Sequence, residues 1–337
     1  MGLLTAKVSR FPLARRFAVP RNKGSKAMDM KKLKTTKATA LVAAGLIALT
    51  GCTSASEAGG TSQPSGAATF DPASVSKDDA LAALVPDKIK SKGTLVVGSD
   101  TTYAPAEFLA ASDGQTAVGY DIDIAKAIGA TLGLKVEVQT SGFDGILPAL
   151  GPKYDLGVSS FFITKERSKA ANFVSYFQAG TQWATQKGNP KNVNLDDLCG
   201  KPVSVQTGTF QEDPDISGRS AKCVAAGKPP IEVVSLKNQT DVATRLVTGG
   251  VESMAAGSIT TAYAIAQSDG KLQTLGDVYG ASPVGIAVAK DDLPLADAVA
   301  QAMNKLIKDG SYKKILDAWG TGTGSIEKAE VNPQVNK

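Results

Sequence analysis

The chain has 337 residues, 42% of them apolar, enough to pack the cores of two ordinary domains. Its formal charge of +5 would suit a nucleic-acid binder, but residues 1–51 carry 11 Lys or Arg against one acid, and the remaining 26 basic and 31 acidic residues leave −5. Beyond the leader the charge thus gives no reason to expect nucleic acid or anionic lipid as a ligand, and the lack of any histidine excludes a histidine base or metal ligand. No metal or cofactor is expected.

Met30-Lys31-Lys32-Leu33-Lys34 is a positive n-region, and Ala38 to Thr50 is a run of small and apolar residues too short to span a bilayer. Leu49-Thr50-Gly51-Cys52 then resembles a bacterial lipobox. Residues 1–51 read as a signal peptide, with translation starting at Met28 or Met30, and Cys52 as the lipidated residue; a short anchoring helix is the alternative. Arg15-Arg16 lie too far from the apolar run to act as a twin-arginine signal. Residues 52–79, rich in Ser, Gly, Ala, Thr and Pro, cannot build a core and read as a tether.

A weak helical pattern over Ala80 to Ile89 leads into a strand at Thr94 to Val97. Ile124, Ile128 and Leu132 recur at helical spacing after a cap at Asp121 or Asp123, with Gly133 as the left-handed exit. Leu134, Val136 and Val138 alternate as a strand. Phe143, Ile146, Leu147 and Leu150 return to helical spacing and stop at Gly151-Pro152. Tyr154 to Ser159 reads as a strand running into a polar cluster, after which Thr164 can cap a helix that carries Arg167 in its first turn. Strand, helix, strand implies a parallel sheet, whose ligands sit outside the carboxyl ends of its strands. That edge holds two hydroxyls, a helix start and Arg167, whose planar fork matches a carboxylate; pairing with a surface acid is the alternative.

Val174 to Thr185 reads as a crossing to a second lobe, bounded by Lys187-Gly188-Asn189-Pro190. Strands at Pro202 to Gln206, Ile231 to Ser235 and Val251 to Ala255 and a helix at Asp241 to Val247 follow, and Pro283 to Ala289 returns. Leu295, Val299, Met303 and Leu306 form a helix closed by Gly310; Tyr312, Ile315, Leu316 and Trp319 form the last helical face. This gives an α/β architecture of two parallel or mixed sheets flanked by helices and joined by two hinge crossings. The first lobe is 80–182 with 285–325, the second 183–284, and 326–337 is a tail. In an exported chain Cys199 and Cys223, left after Cys52, read as a disulfide, with two separate buried thiols as the alternative.

LVVGSDTTYAPAEF (95–108), GYDIDIAKAIG (119–129), FDGILPAL (143–150), SSFFITKER (159–167) and VSVQTGTF (203–210) resemble, in that order, the family 3 solute-binding proteins of ABC importers, the amino-acid type. The resemblance implies a two-lobed type II periplasmic-binding fold that closes on a small polar ligand and hands it to a membrane permease. The protein would then be extracytoplasmic, monomeric, attached to the membrane only through lipid, and not an enzyme. By resemblance, Tyr103 stacks over the ligand, Ser159 and Ser160 meet it, and Arg167 clamps its carboxylate. Asp100 and Phe143 line the side-chain end, and Thr207, Gly208 and Thr209 offer N–H groups at a helix start. Trp183 and Phe210 add aromatic area. Phe162 replaces a small polar residue of the family, and Gly257-Ser258 stand where the family places the acid that receives an α-ammonium. A polar amino acid or close derivative is expected, with an opine, hydroxy acid or keto acid as the alternative. Two rival functions are a lyase resembling cyclohexadienyl dehydratases, with Asp100 or Glu107 as acid, and a sensory or adhesive lipoprotein.

Overall fold

The computed structural model describes residues 70–335; the expected signal peptide, Cys52 and most of the tether lie outside them. In chain order the elements are α1 (Asp79–Ala82), α2 (Asp87–Lys92), β1 (Thr94–Ser99), β2 (Thr102–Tyr103), β3 (Glu107–Leu109), β4 (Ala117–Val118), α3 (Tyr120–Leu132), β5 (Lys135–Thr140), α4 (Phe143–Ile146), β6 (Leu156–Phe162), α5 (Lys165–Ala170) and β7 (Ala171–Gln186). There follow β8 (Pro202–Gln206), α6 (Ser217–Ala225), β9 (Glu232–Leu236), α7 (Gln239–Val247), β10 (Ser253–Gly257), α8 (Ser258–Ala266), β11 (Leu272–Ala289), α9 (Leu293–Lys308) and α10 (Ser311–Trp319).

The main sheet has the order β5-β1-β6-β11-β7-β10-β8-β9, and β2, β3 and β4 form a small second sheet. β5, β1 and β6 are mutually parallel, as are β10, β8 and β9. Between these two parallel groups run β7 and β11, antiparallel to each other along almost their whole length, Leu272 facing Gln186 at one end and Ala289 facing Ala171 at the other. The crossings therefore pair with one another. The return crossing also begins eleven residues before the expected Pro283 (at Leu272), because Gly276, Gly280 and shifts of register around Tyr279 break the alternation that marks a strand.

Two apolar clusters pack the first lobe. One joins Ile124 and Ile128 of α3 to Val299, Met303 and Leu306 of α9 and Ile315 of α10; the other surrounds Phe161 and Phe173. Trp183, Val203, Val205 and Ile216 centre the core of the second lobe, beside a smaller cluster around Val242 and Leu246. Trp183 is fully buried and donates from Nε1 to Tyr279 Oη at 2.8 Å, so it is a core residue and not part of a cleft wall. Cys199 and Cys223 are disulfide-bonded, stapling the turn before β8 to α6. The polar stretch after Gly320 lies along β7: Ser175 N–H donates to Glu330 O, and Asn332 N–H to Phe173 O.

Local chemistry accounts for most element ends. Gly133, φ 70°, closes α3, and Thr164 Oγ1 accepts from Arg167 N–H at 3.1 Å to start α5. The start of α3 differs from the expected acidic cap. Gly119 takes that place at φ 129°, with its Cα so close to Ala106 that an added Cβ would lie 2.0 Å from the carbonyl oxygen. Asp121 is thereby free to turn inward.

Candidate ligand-binding site

Two pairs of parallel strands, running in opposite senses, end at one place: β1 at Asp100 and β6 at Ser159 to Phe162 from one side, β8 at Gln206 to Thr209 and β10 at Gly257 from the other. This is the carboxyl edge at which open α/β sheets hold ligands. Two small adjoining cavities lie there and share Tyr103, Ser160 and Phe162. Phe143, Ser159, Arg167 and Thr209 complete the wall of one, and Tyr120, Gly257 and Thr260 the wall of the other.

Arg167 spans the site. One guanidinium nitrogen donates to Phe162 O at 2.8 Å in the first lobe, and another to Gly208 O at 3.0 Å in the second. The group lies 5.3 Å from the Phe143 ring centre and 5.7 Å from that of Phe161, two rings themselves stacked at 4.7 Å. Burial pushes its pKa down to about 10, which leaves it charged at neutral pH.

Tyr103 spans it as well. Its Oη accepts from Gly257 N–H at 2.9 Å, and burial pushes the phenol up to about 12, so it remains neutral. Two further contacts cross the cleft: Gln206 donates to Asp100, and Gln239 N–H to Thr102 Oγ1 at 3.1 Å. The lobes are closed on each other.

Behind this wall lies a buried acidic group. Asp121 Oδ2 accepts from Ser160 N–H at 2.8 Å and from its hydroxyl at 3.1 Å, while Tyr176 donates to Oδ1. These bonds hold Ser160 at φ 45°, a conformation costly for a side-chain-bearing residue, which an unsupported strand end would not keep. Ser159 donates to Glu107 at 2.8 Å. Burial, together with the charge of the neighbouring Asp121, pushes the Glu107 carboxyl well above its ordinary range.

Of the residues expected in the cleft, Tyr103, Phe143, Ser159, Ser160, Phe162, Arg167, Thr209 and Gly257 line the cavities, and so does Phe210. Four lie off the walls. Asp100 has both carboxylate oxygens occupied, by Thr102 and by Gln206. Thr207 is turned to Ser235, 2.7 Å away, and Ser258 accepts from Gly180 N–H. Gly208 N–H donates to Glu212 at 2.6 Å, so the expected anion-binding amide already has an anion. Nor is there a regular helix start behind it. Asp213 precedes Pro214, which disfavours helical backbone at the residue before it, and Asp213 sits at φ −141°, ψ 124°; α6 begins only at Ser217. Tyr120, Phe177, Ile259, Thr260 and Val284 also line the walls and escaped the sequence reading. Tyr120 had a local signal, since it follows the Gly119 that brings α3 against β3. Ile259 and Thr260 lie on α8, whose β-branched run carries no helical stripe.

The model of the bacterial extracellular solute-binding proteins, family 3, matches residues 95–322. The arginine-binding protein ArgT of Corynebacterium glutamicum is 34% identical over 255 residues, covering 75% of this chain and 83% of that protein. Among solved structures, an ancestral arginine-binding protein bound to arginine is 35% identical with TM-score 0.61, covering 67% of this chain and 98% of its own. The ancestral amino acid-binding protein AncCDT-1, a precursor of cyclohexadienyl dehydratase, is 31% identical with TM-score 0.59, covering 70% and 99%. Among the described residues no helix is long and apolar enough to cross a membrane. With the match spanning both lobes and the cleft between them, the chain belongs to the family 3 extracellular solute-binding proteins and serves an ABC importer as its extracytoplasmic solute receptor.

Proposed function

We propose that the cleft captures a small organic carboxylate, an amino acid or a close relative of one, with Arg167 as the carboxylate clamp, and that closure presents it to the importer's permease. One observation carries this reading: Arg167 is the sole formally charged side chain on the cavity walls, and its fork reaches acceptors in both lobes. A carboxylate held there draws the walls together, so binding and closure are one event. Phe143 and Tyr103 supply flat area for the ligand body, and Ser159, Ser160 and Thr209 supply hydroxyls. The relatives named for arginine and cystine put amino acids first in any screen.

Binding is favoured over a lyase on the same scaffold because the candidate acids do not face the cavities: Glu107 is fully buried behind Ser159, and Asp100 is saturated by neighbours. In this reading the lobes are 80–182 with 285–325 and 183–284. The chain acts as a monomer, tethered by residues 52–79 to a lipid on Cys52, and Cys52→Ser should move it from the membrane to the soluble fraction. A thermal-shift screen of amino acids, hydroxy acids, keto acids, opines and dipeptides tests the ligand class. Stabilisation by carboxylates alone is expected; stabilisation by neutral sugars but by no carboxylate would overturn it.

A further inference from the structure

We infer that the ligand carries no ammonium group beside its carboxylate: the substituent on its α-carbon is a hydroxyl, a carbonyl oxygen or another neutral group. This deepens the clamp reading above and rests on it. With the carboxylate on Arg167, the α-carbon would face Phe162, Ser160 and Tyr103, the residues the two cavities share, with Gly257 beyond them in the wall of the other cavity.

That surface is built for a neutral polar atom. No carboxylate lines either cavity. Asp121 lies behind Ser160 with its oxygens taken by Ser160 and Tyr176, and Glu107 is fully buried behind Ser159. Phe162 closes one side with an aromatic ring 6% exposed, tilted at 50° against Phe210. An ammonium enclosed here would lose its water without gaining a counter-charge, which is among the most costly burials a ligand can undergo. The hydroxyls instead suit a group that both accepts and donates. Tyr103 Oη accepts from Gly257 N–H and is in hydrogen-bond contact with Thr260, and Ser160 donates to Asp121 while its oxygen lies 3.4 Å from Tyr120 Oη, so the polar groups gathered here are neutral hydroxyls.

The chain also could not carry an acid at 257 without rebuilding the site. A Cβ on Gly257 would stand 2.6 Å from Tyr103 Oη, closer than such atoms approach. Tyr103 and Gly257 are therefore one device, a hydroxyl seated where a side chain would have to be.

The test is calorimetry on the mature chain with three matched pairs: L-phenylalanine and 3-phenyllactate, L-leucine and 2-hydroxy-4-methylpentanoate, L-arginine and its 2-hydroxy analogue. The expected result is that a hydroxy acid binds tighter than its amino partner by on the order of tenfold or more. An amino acid binding as tightly as its hydroxy partner would overturn the inference, and so would a series in which no hydroxy acid binds. The clamp reading is judged apart: it survives an amino acid's winning if Arg167→Ala abolishes that binding, and fails if the best ligand binds Arg167→Ala undiminished. As a second arm, Tyr103→Phe combined with Gly257→Asp removes the hydroxyl and installs the acid, and should shift the ratio toward the amine by on the order of tenfold. An unmoved ratio in a folded double variant counts against the inference; should that variant not fold, the wild-type pairs still decide.

Discussion

Replacing Arg167 by lysine separates charge from geometry at a charged residue that touches both walls of the cleft. The guanidinium reaches Phe162 O and Gly208 O at once, at 2.8 and 3.0 Å, with its centre 5.3 Å from that of the Phe143 ring. A lysine ammonium on its flexible stem keeps the charge but addresses one of these directions at a time and gives up the stacking. One hydrogen bond to a charged group is worth about 1.5 to 3 kcal/mol, so Arg167→Lys should weaken ligand binding by about 10- to 150-fold. Arg167→Ala removes the counter-charge altogether. Truncating one partner of a desolvated charge pair costs about 2 to 5 kcal/mol, or about 30- to several-thousand-fold. Calorimetry with the ligand from the screen, beside circular dichroism to confirm folding, gives both numbers. A lysine variant within threefold of wild type would refute the fork as the source of affinity, and an alanine variant within threefold would remove Arg167 from the site.

Breaking the Cys199–Cys223 bridge opens a closure of 24 residues worth about 3.5 kcal/mol in the chain-entropy model, so the paired Ser variant should melt about 7 to 14 °C lower; a change under about 2 °C would show the second lobe does not need the staple. Glu107 titrates in the folded chain well above its ordinary 4.5. Its contribution to stability is thus complete below that value and is lost as pH rises toward the folded pKa. Glu107→Gln keeps a donor for Asp121 without titrating, so its melting temperature should fall less than that of wild type between about pH 5 and pH 8, and parallel profiles would contradict the assignment.

What the sequence by itself determined is what short-range physics controls. Helical spacing in α3, α9 and α10, the left-handed exit at Gly133, the Thr164 cap and the order of strands are each set by residues a few positions apart, and the five motifs place Arg167, Tyr103 and Phe143 in one cleft. Tertiary structure decided the rest, because alternation along a strand does not say which lobe or face a residue will meet. Trp183 lies in a crossing yet belongs to the core, since the second lobe packs over it. Asp121 looks like a helix cap and is a support for Ser160, because Gly119 fits a gap against Ala106 that no side chain could enter. Gly257 reads in sequence as a missing acid, whereas in space it is the room required by a tyrosine hydroxyl from 154 residues earlier. No local pattern records such a contact, because its two halves meet only when the lobes do.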